Sequence, residues 1–141
     1  MKRIICIVLC FLCIFTLFSC HDPDISDGEV DLDLTKLSST MVYSEVYNMV
    51  ETPENYIGRR VRMQGKFSVY RDPSTDAVYF ACVIADATAC CSQGVEFVLE
   101  GTHAYPDDYP PLGTEITVTG EFSTYTENGI RYCYLTGATL G

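Results

Sequence analysis

Over residues 39–51 the apolar positions Val42, Val46, Met49 and Val50 recur at helical spacing and form one stripe. This pattern predicts an amphipathic helix, with Ser38, Ser39 or Thr40 available to cap its first turn. Thr52-Pro53 ends it, because a residue ahead of proline avoids the helical region. Residues 53–58 then read as a turn. From Arg59 the period changes to two. Val61, Met63, Gly65, Phe67 and Val69 alternate with Arg60, Arg62, Gln64, Lys66 and Ser68, which predicts a strand with one buried and one wet face. Residues 71–76 form a hairpin loop of turn-favouring types. A mostly apolar strand follows over 77–85, then a connection over 86–92. Residues 93–100 alternate again, with Val95, Phe97 and Leu99 inward. Residues 101–113 carry Pro106, Pro110 and Pro111 and read as a long loop. Residues 115–125 place Ile116, Val118, Gly120 and Phe122 on an inner face. Glu127-Asn128-Gly129 is a hairpin-turn signal, and 130–135 is the last predicted strand.

One helix and then five closely spaced strands suit a small barrel or tight sandwich. Tyr56-Ile57-Gly58 followed by Val61-Arg62-Met63-Gln64-Gly65 resembles the opening of OB-fold domains in exported bacterial proteins. Ile116-Thr117-Val118-Thr119-Gly120-Glu121-Phe122 resembles a second pass of the same pattern. The expected fold is therefore mainly β: a small five-stranded OB-like barrel with antiparallel strands, preceded by one helix, over residues 39–141. Gly65 and Gly120 are expected where strands bend to close it.

The N-terminus follows another logic. Met1-Lys2-Arg3 is positive, and residues 4–18 are apolar apart from Thr16, a run shorter than the ~20 residues of a spanning helix. This is the form of a secretory signal, expected over residues 1–19. Leu17-Phe18-Ser19-Cys20 resembles the lipobox of bacterial lipoproteins. The resemblance implies diacylglycerol on the Cys20 sulfur, cleavage before it, and anchoring of the mature chain at a membrane of the cell envelope. Cys6, Cys10 and Cys13 would leave with the signal. Residues 20–38 carry six acids against the single base Lys36, with Pro23 and Gly28, and read as a flexible acidic tether.

The chain has 141 residues, with 19 acids, nine Lys or Arg, and a net charge of −10. Loss of Lys2 and Arg3 with the signal leaves seven bases against 19 acids, a net −12. Such a surface repels phosphate backbones and anionic headgroups, so nucleic acid is not an expected partner and the membrane is reached through the lipid alone.

Four cysteines remain in the domain: Cys82, Cys90, Cys91 and Cys133. The run from Asp86-Ala87-Thr88-Ala89-Cys90-Cys91 to Gly94-Val95-Glu96-Phe97 resembles a stretch in uncharacterised exported proteins of anaerobic bacteria, and the resemblance implies no activity. Three fates stay open for these thiols. The first is two disulfides, one using Cys82 and one using Cys133, each with a partner from Cys90 or Cys91. The second is a zinc site of thiolates with His103 or Glu96. The third is free thiols acting as small hydrophobes. Tyr105, Tyr109, Tyr125, Tyr132 and Tyr134 lie in and after the Pro-rich loop, as a stacking surface for a peptide or sugar would, or as ordinary strand surface. The only histidines are His21 and His103, no Ser-His-Asp or Cys-His order stands out, no Gly-rich phosphate loop occurs, and Asp107-Asp108 reads as a solvated loop. The expectation is a non-enzymatic, membrane-anchored binding module for a protein, peptide or sugar. It has no cofactor unless the thiols take zinc. A zinc-binding domain and a cell-envelope enzyme are the alternatives.

Overall fold

The structure is a computed structural model that describes residues 29–88 and 90–141. The expected signal over 1–19, the lipid site at Cys20 and the first part of the tether lie outside the described residues. Helix α1 (Ser39–Glu51) forms as its periodicity requires and buries Val46 and Met49. Ser38 occupies the N-cap position without a side-chain capping bond. At the other end the Thr52 N–H donates to the Asn48 carbonyl at 2.9 Å.

Among the described residues six strands make one mixed sheet: β1 (Leu32–Asp33), β2 (Arg60–Arg71), β3 (Val78–Ala85), β4 (Ser92–Leu99), β5 (Glu115–Glu127) and β6 (Ile130–Leu140). Their order is β1-β2-β3-β4-β6-β5, and β5 pairs with β2 as well. Strands β2 to β6 thus form a ring of pairings. The all-antiparallel expectation is corrected here. A ring of five cannot alternate direction throughout, so one neighbouring pair must run parallel, and that pair is β4 and β6. Short β1 adds a second parallel pairing, to β2.

The ring depends on two glycines. β2 pairs with β5 from Arg60 to Lys66, then with β3 from Lys66 to Arg71. Gly65 stands at this handover, where a Cβ would meet the Val83 carbonyl oxygen at 2.6 Å and Cys82 Sγ at 2.9 Å. Only glycine permits that approach. On β6 the register slips by one residue against both β4 and β5 around Gly137, whose φ is +54°. One bulge at a left-handed glycine serves both neighbours. It carries β6 to Leu140, five residues beyond its expected end. Gly120 is buried on β5 beside this bulge.

The inner faces meet in one core. Phe67, Phe97, Phe122, Met63, Val61, Val95, Val118 and Leu135 are all but inaccessible, and Val46 and Met49 of α1 join them. The hairpin turn at Asn128-Gly129 takes positive φ at both residues, 51° and 79°, as its sequence predicts.

The tether expected over 20–38 yields its last residues to the fold. The Asp31 N–H donates to the Arg60 carbonyl at 2.9 Å, and Asp31 Oδ2 accepts from the Arg60 N–H at 2.7 Å. Leu32 pairs with Val61, and Leu34, in a 3-10 turn, is fully buried. Among the described residues no helix is long and apolar enough to cross a membrane.

Candidate functional site

The four domain cysteines do not gather. Cys82 lies on β3 between Phe67 of β2 and Val95 of β4, faces the core, and is fully buried. Burial pushes its thiol up to about 12. Cys133 is half-buried on β6, with its Sγ 3.9 Å from the Met49 carbonyl of α1. Cys90 and Cys91 are exposed in the β3–β4 turn, with Sγ atoms 3.5 Å apart. All four are free, so the expected Cys82 and Cys133 disulfides are absent. The reason is phase. Cys82 falls on the inward positions of β3, whereas the chain reaches Cys90 and Cys91 only after leaving the strand at Ala85. The expected zinc partners also lie elsewhere. His103 Nε2 is 2.9 Å from the Glu100 carbonyl oxygen, and Glu96 accepts from Tyr125. The carboxylate that does stand with Cys90 and Cys91 is Asp86.

The five candidate tyrosines separate into two groups. Tyr105 and Tyr109, on the Pro-rich loop, sit edge to face at 5.9 Å, and Tyr109 stacks on Phe80 at 4.0 Å. They extend the core outward. Tyr125, Tyr132 and Tyr134 meet on the outer face of β5 and β6. Tyr125 stacks on Tyr132 at 5.3 Å and meets Tyr134 edge-on at 5.5 Å.

The second group opens onto a cleft. Tyr125 and Tyr132 line it with Tyr70 and Tyr79, from β2 and β3. Asp72, Glu96 and Glu127 supply three carboxylates, Asn128 completes the lining, and no Lys, Arg or His takes part. The phenols hold the acids in place. The Tyr125 hydroxyl donates to Glu96 Oε2 at 2.7 Å, and the Tyr79 hydroxyl donates to Glu127 Oε2 at 2.9 Å. These bonds favour the neutral phenols. That of Tyr79 is pushed up to about 12, chiefly by Glu127, and that of Tyr125 is raised by burial and by Glu96. Burial also raises the Glu96 carboxyl, against the Tyr125 bond that lowers it, and nearby Glu127 adds to the rise. A negative concavity walled by tyrosine rings suits a cationic group, which gains both ion pairing and cation–π attraction.

Sequence reasoning found Tyr125, Tyr132 and Tyr134 and missed Tyr70, Tyr79, Glu127 and the role of Glu96. A signal was present. Glu96 sits between inward Val95 and Phe97, and Tyr125-Thr126-Glu127 puts an aromatic and a carboxylate on the same face of one strand. Only the pairing order brings β3, β4, β5 and β6 together around them. No protein-family model, curated protein or solved structure matches the chain.

Proposed function

We propose that this protein is a non-enzymatic binding module of the cell envelope, lipid-anchored through Cys20, whose domain is an OB-like barrel. In this reading the barrel takes a cationic group of a protein or peptide partner into the cleft between Tyr79, Tyr125 and Tyr132. The observation that carries it is the lining itself: four tyrosines and three carboxylates without a base. The ring of pairings from β2 back to β5 supports the barrel. The lipobox resemblance at Leu17-Phe18-Ser19-Cys20 supports the anchor. A net charge of −10, or −12 after processing, draws cations from a distance and makes association salt-sensitive.

Titration calorimetry of the full chain with Lys- and Arg-rich peptides tests the cleft. Binding should weaken at least tenfold in Glu96→Gln/Glu127→Gln and in Tyr132→Ala, and should fall with added salt. Binding of a neutral sugar in the same cleft, or peptide binding indifferent to all three changes, would overturn the cationic reading. Cys20→Ala tests the anchor separately. It should release the domain from the membrane fraction or block processing.

A further inference from the structure

Away from the tyrosine cleft, the turn between β3 and β4 gathers three metal-ligating side chains. Asp86 follows the last residue of β3, and Cys91 precedes the first residue of β4. The Asp86 N–H donates to the Cys91 carbonyl at 2.9 Å, which closes the turn at its neck. Asp86 Oδ1 accepts from the N–H groups of Cys90 at 2.9 Å and Thr88 at 3.1 Å. That arrangement aims Oδ2 at Cys90 Sγ, 3.3 Å away. Cys90 and Cys91 Sγ are 3.5 Å apart, and one donor atom from each of the three residues lies within 4.8 Å of the others.

These spacings are those of thiol hydrogen bonds, and they also suit a tetrahedral metal site. With Zn–S of about 2.3 Å and Zn–O of about 2.0–2.2 Å in a tetrahedral site, two sulfurs stand roughly 3.8 Å apart and a sulfur and an oxygen roughly 3.5 Å. A disulfide would need about 2.05 Å. The two thiols are therefore too far apart to be bonded and stand near the separation of two ligands on one ion. We propose that Asp86, Cys90 and Cys91 form a three-ligand site for a thiophilic divalent cation of the zinc class, with a fourth position open to solvent or a substrate donor.

The surroundings favour a cation. Two thiolates and a carboxylate offer three negative donors within 4.8 Å of one another, a charge that a divalent cation offsets. Binding releases the two thiol protons, so affinity rises with pH. The site is distinct from the expectation of a centre built from all four cysteines. Cys82 is sealed in the core and Cys133 lies on β6 beside Met49, so neither contributes.

Titration of the reduced full chain with Cd²⁺ and with Zn²⁺ tests this, followed by thiolate-to-metal ultraviolet absorption for cadmium and by competition with a chelator for zinc. One equivalent should be lost in Cys90→Ser/Cys91→Ser. Asp86→Asn should weaken it at least as much as the roughly 10–100-fold typical of partners one bond further from a metal. Cys133→Ala and Cys82→Ala should keep it. Cys90 and Cys91 are exposed, so their variants stay folded, and circular dichroism of each variant verifies this. Full uptake in Cys90→Ser/Cys91→Ser overturns the proposal. So does loss of uptake in a folded Cys133→Ala protein, or no uptake by a chain whose thiols all count as free.

Discussion

The Tyr79 hydroxyl at the start of β3 donates to the Glu127 carboxylate at the end of β5, 2.9 Å to Oε2 and 3.1 Å to Oε1. β3 and β5 are not sheet neighbours. The bond therefore crosses the cleft and ties the hairpin tip to the opposite wall by side chains alone. Tyr79→Phe keeps the ring and removes the tie. It should lower the urea midpoint modestly, because Glu127 is only half-buried and regains water. A urea midpoint unchanged in Tyr79→Phe would show that the hairpin tip holds its place without the bond.

Leu34 anchors the residues ahead of α1. It is fully buried, next to a two-residue strand whose few backbone bonds hold little by themselves. Leu34→Ala should destabilise the domain by about 2–5 kcal/mol, as for other buried leucines. Amide exchange should become fast at Leu32 and Asp33 before it does elsewhere. Equal protection of β1 in Leu34→Ala and the unaltered protein would remove Leu34 from that role.

The same segment shows what was legible in the sequence and what was not. Val30-Asp31-Leu32-Asp33-Leu34 alternates with period two, yet its acids gave it the composition of a tether. A strand this short declares itself only through its partner, Val61-Arg62 of β2. β2 and β5 were legible because each carries four or more alternating positions around a buried Phe, Val or Met, and β4 from three, whereas β3 was legible from its apolar run and β6 from the turn ahead of it. The hairpin at Asn128-Gly129 was legible from its dipeptide. The cysteine arrangement was not, since it depends on whether Cys82 points in or out and on how the 86–91 turn folds back on Asp86. The cleft was half legible. Its tyrosines on β5 and β6 are close in sequence, whereas Tyr79 and Glu96 reach it only through the closing order of the ring.

Gly65 should be among the least replaceable residues. Gly65→Ala brings a Cβ within 2.6 Å of the Val83 carbonyl oxygen and 2.8 Å of Ile84 Cδ1. The Ile84 methyl can move, but the backbone carbonyl of β3 cannot retreat without breaking the pairing of Lys66 with Val83. The expected result is a loss of about 2–4 kcal/mol, in the range for overpacking with backbone strain. Gly129→Ala, on the exposed hairpin at φ +79° with open space around it, should cost about 1 kcal/mol. Thermal unfolding of the two variants compares them directly. A smaller loss in Gly65→Ala than in Gly129→Ala would contradict the close packing of β2 on β3.

Alkaline pH should destabilise the fold in a window set by Cys82 and Tyr79. Burial pushes the Cys82 thiol from an ordinary 9.0 up to about 12. The bond to Glu127, then burial, pushes the Tyr79 phenol from 10.0 up to about 12. Both groups hold their protons more tightly in the folded state. Their contribution to stability is therefore fully present below about pH 9 and is lost as pH rises through 12. Urea midpoints should be level from pH 7 to 8 and fall steadily above 9. In Cys82→Ala the fall between pH 9 and 10 should become shallower, with the Cys133 thiol, also raised by burial, carrying what remains of it. At pH 8 a thiol reagent should modify Cys90 and Cys91 in the folded protein and reach Cys82 only in denaturant. Modification of Cys82 in the folded protein at the rate of Cys90 would mean that β3 does not seal its inward face. The buried position between Phe67 and Val95 would then be wrong.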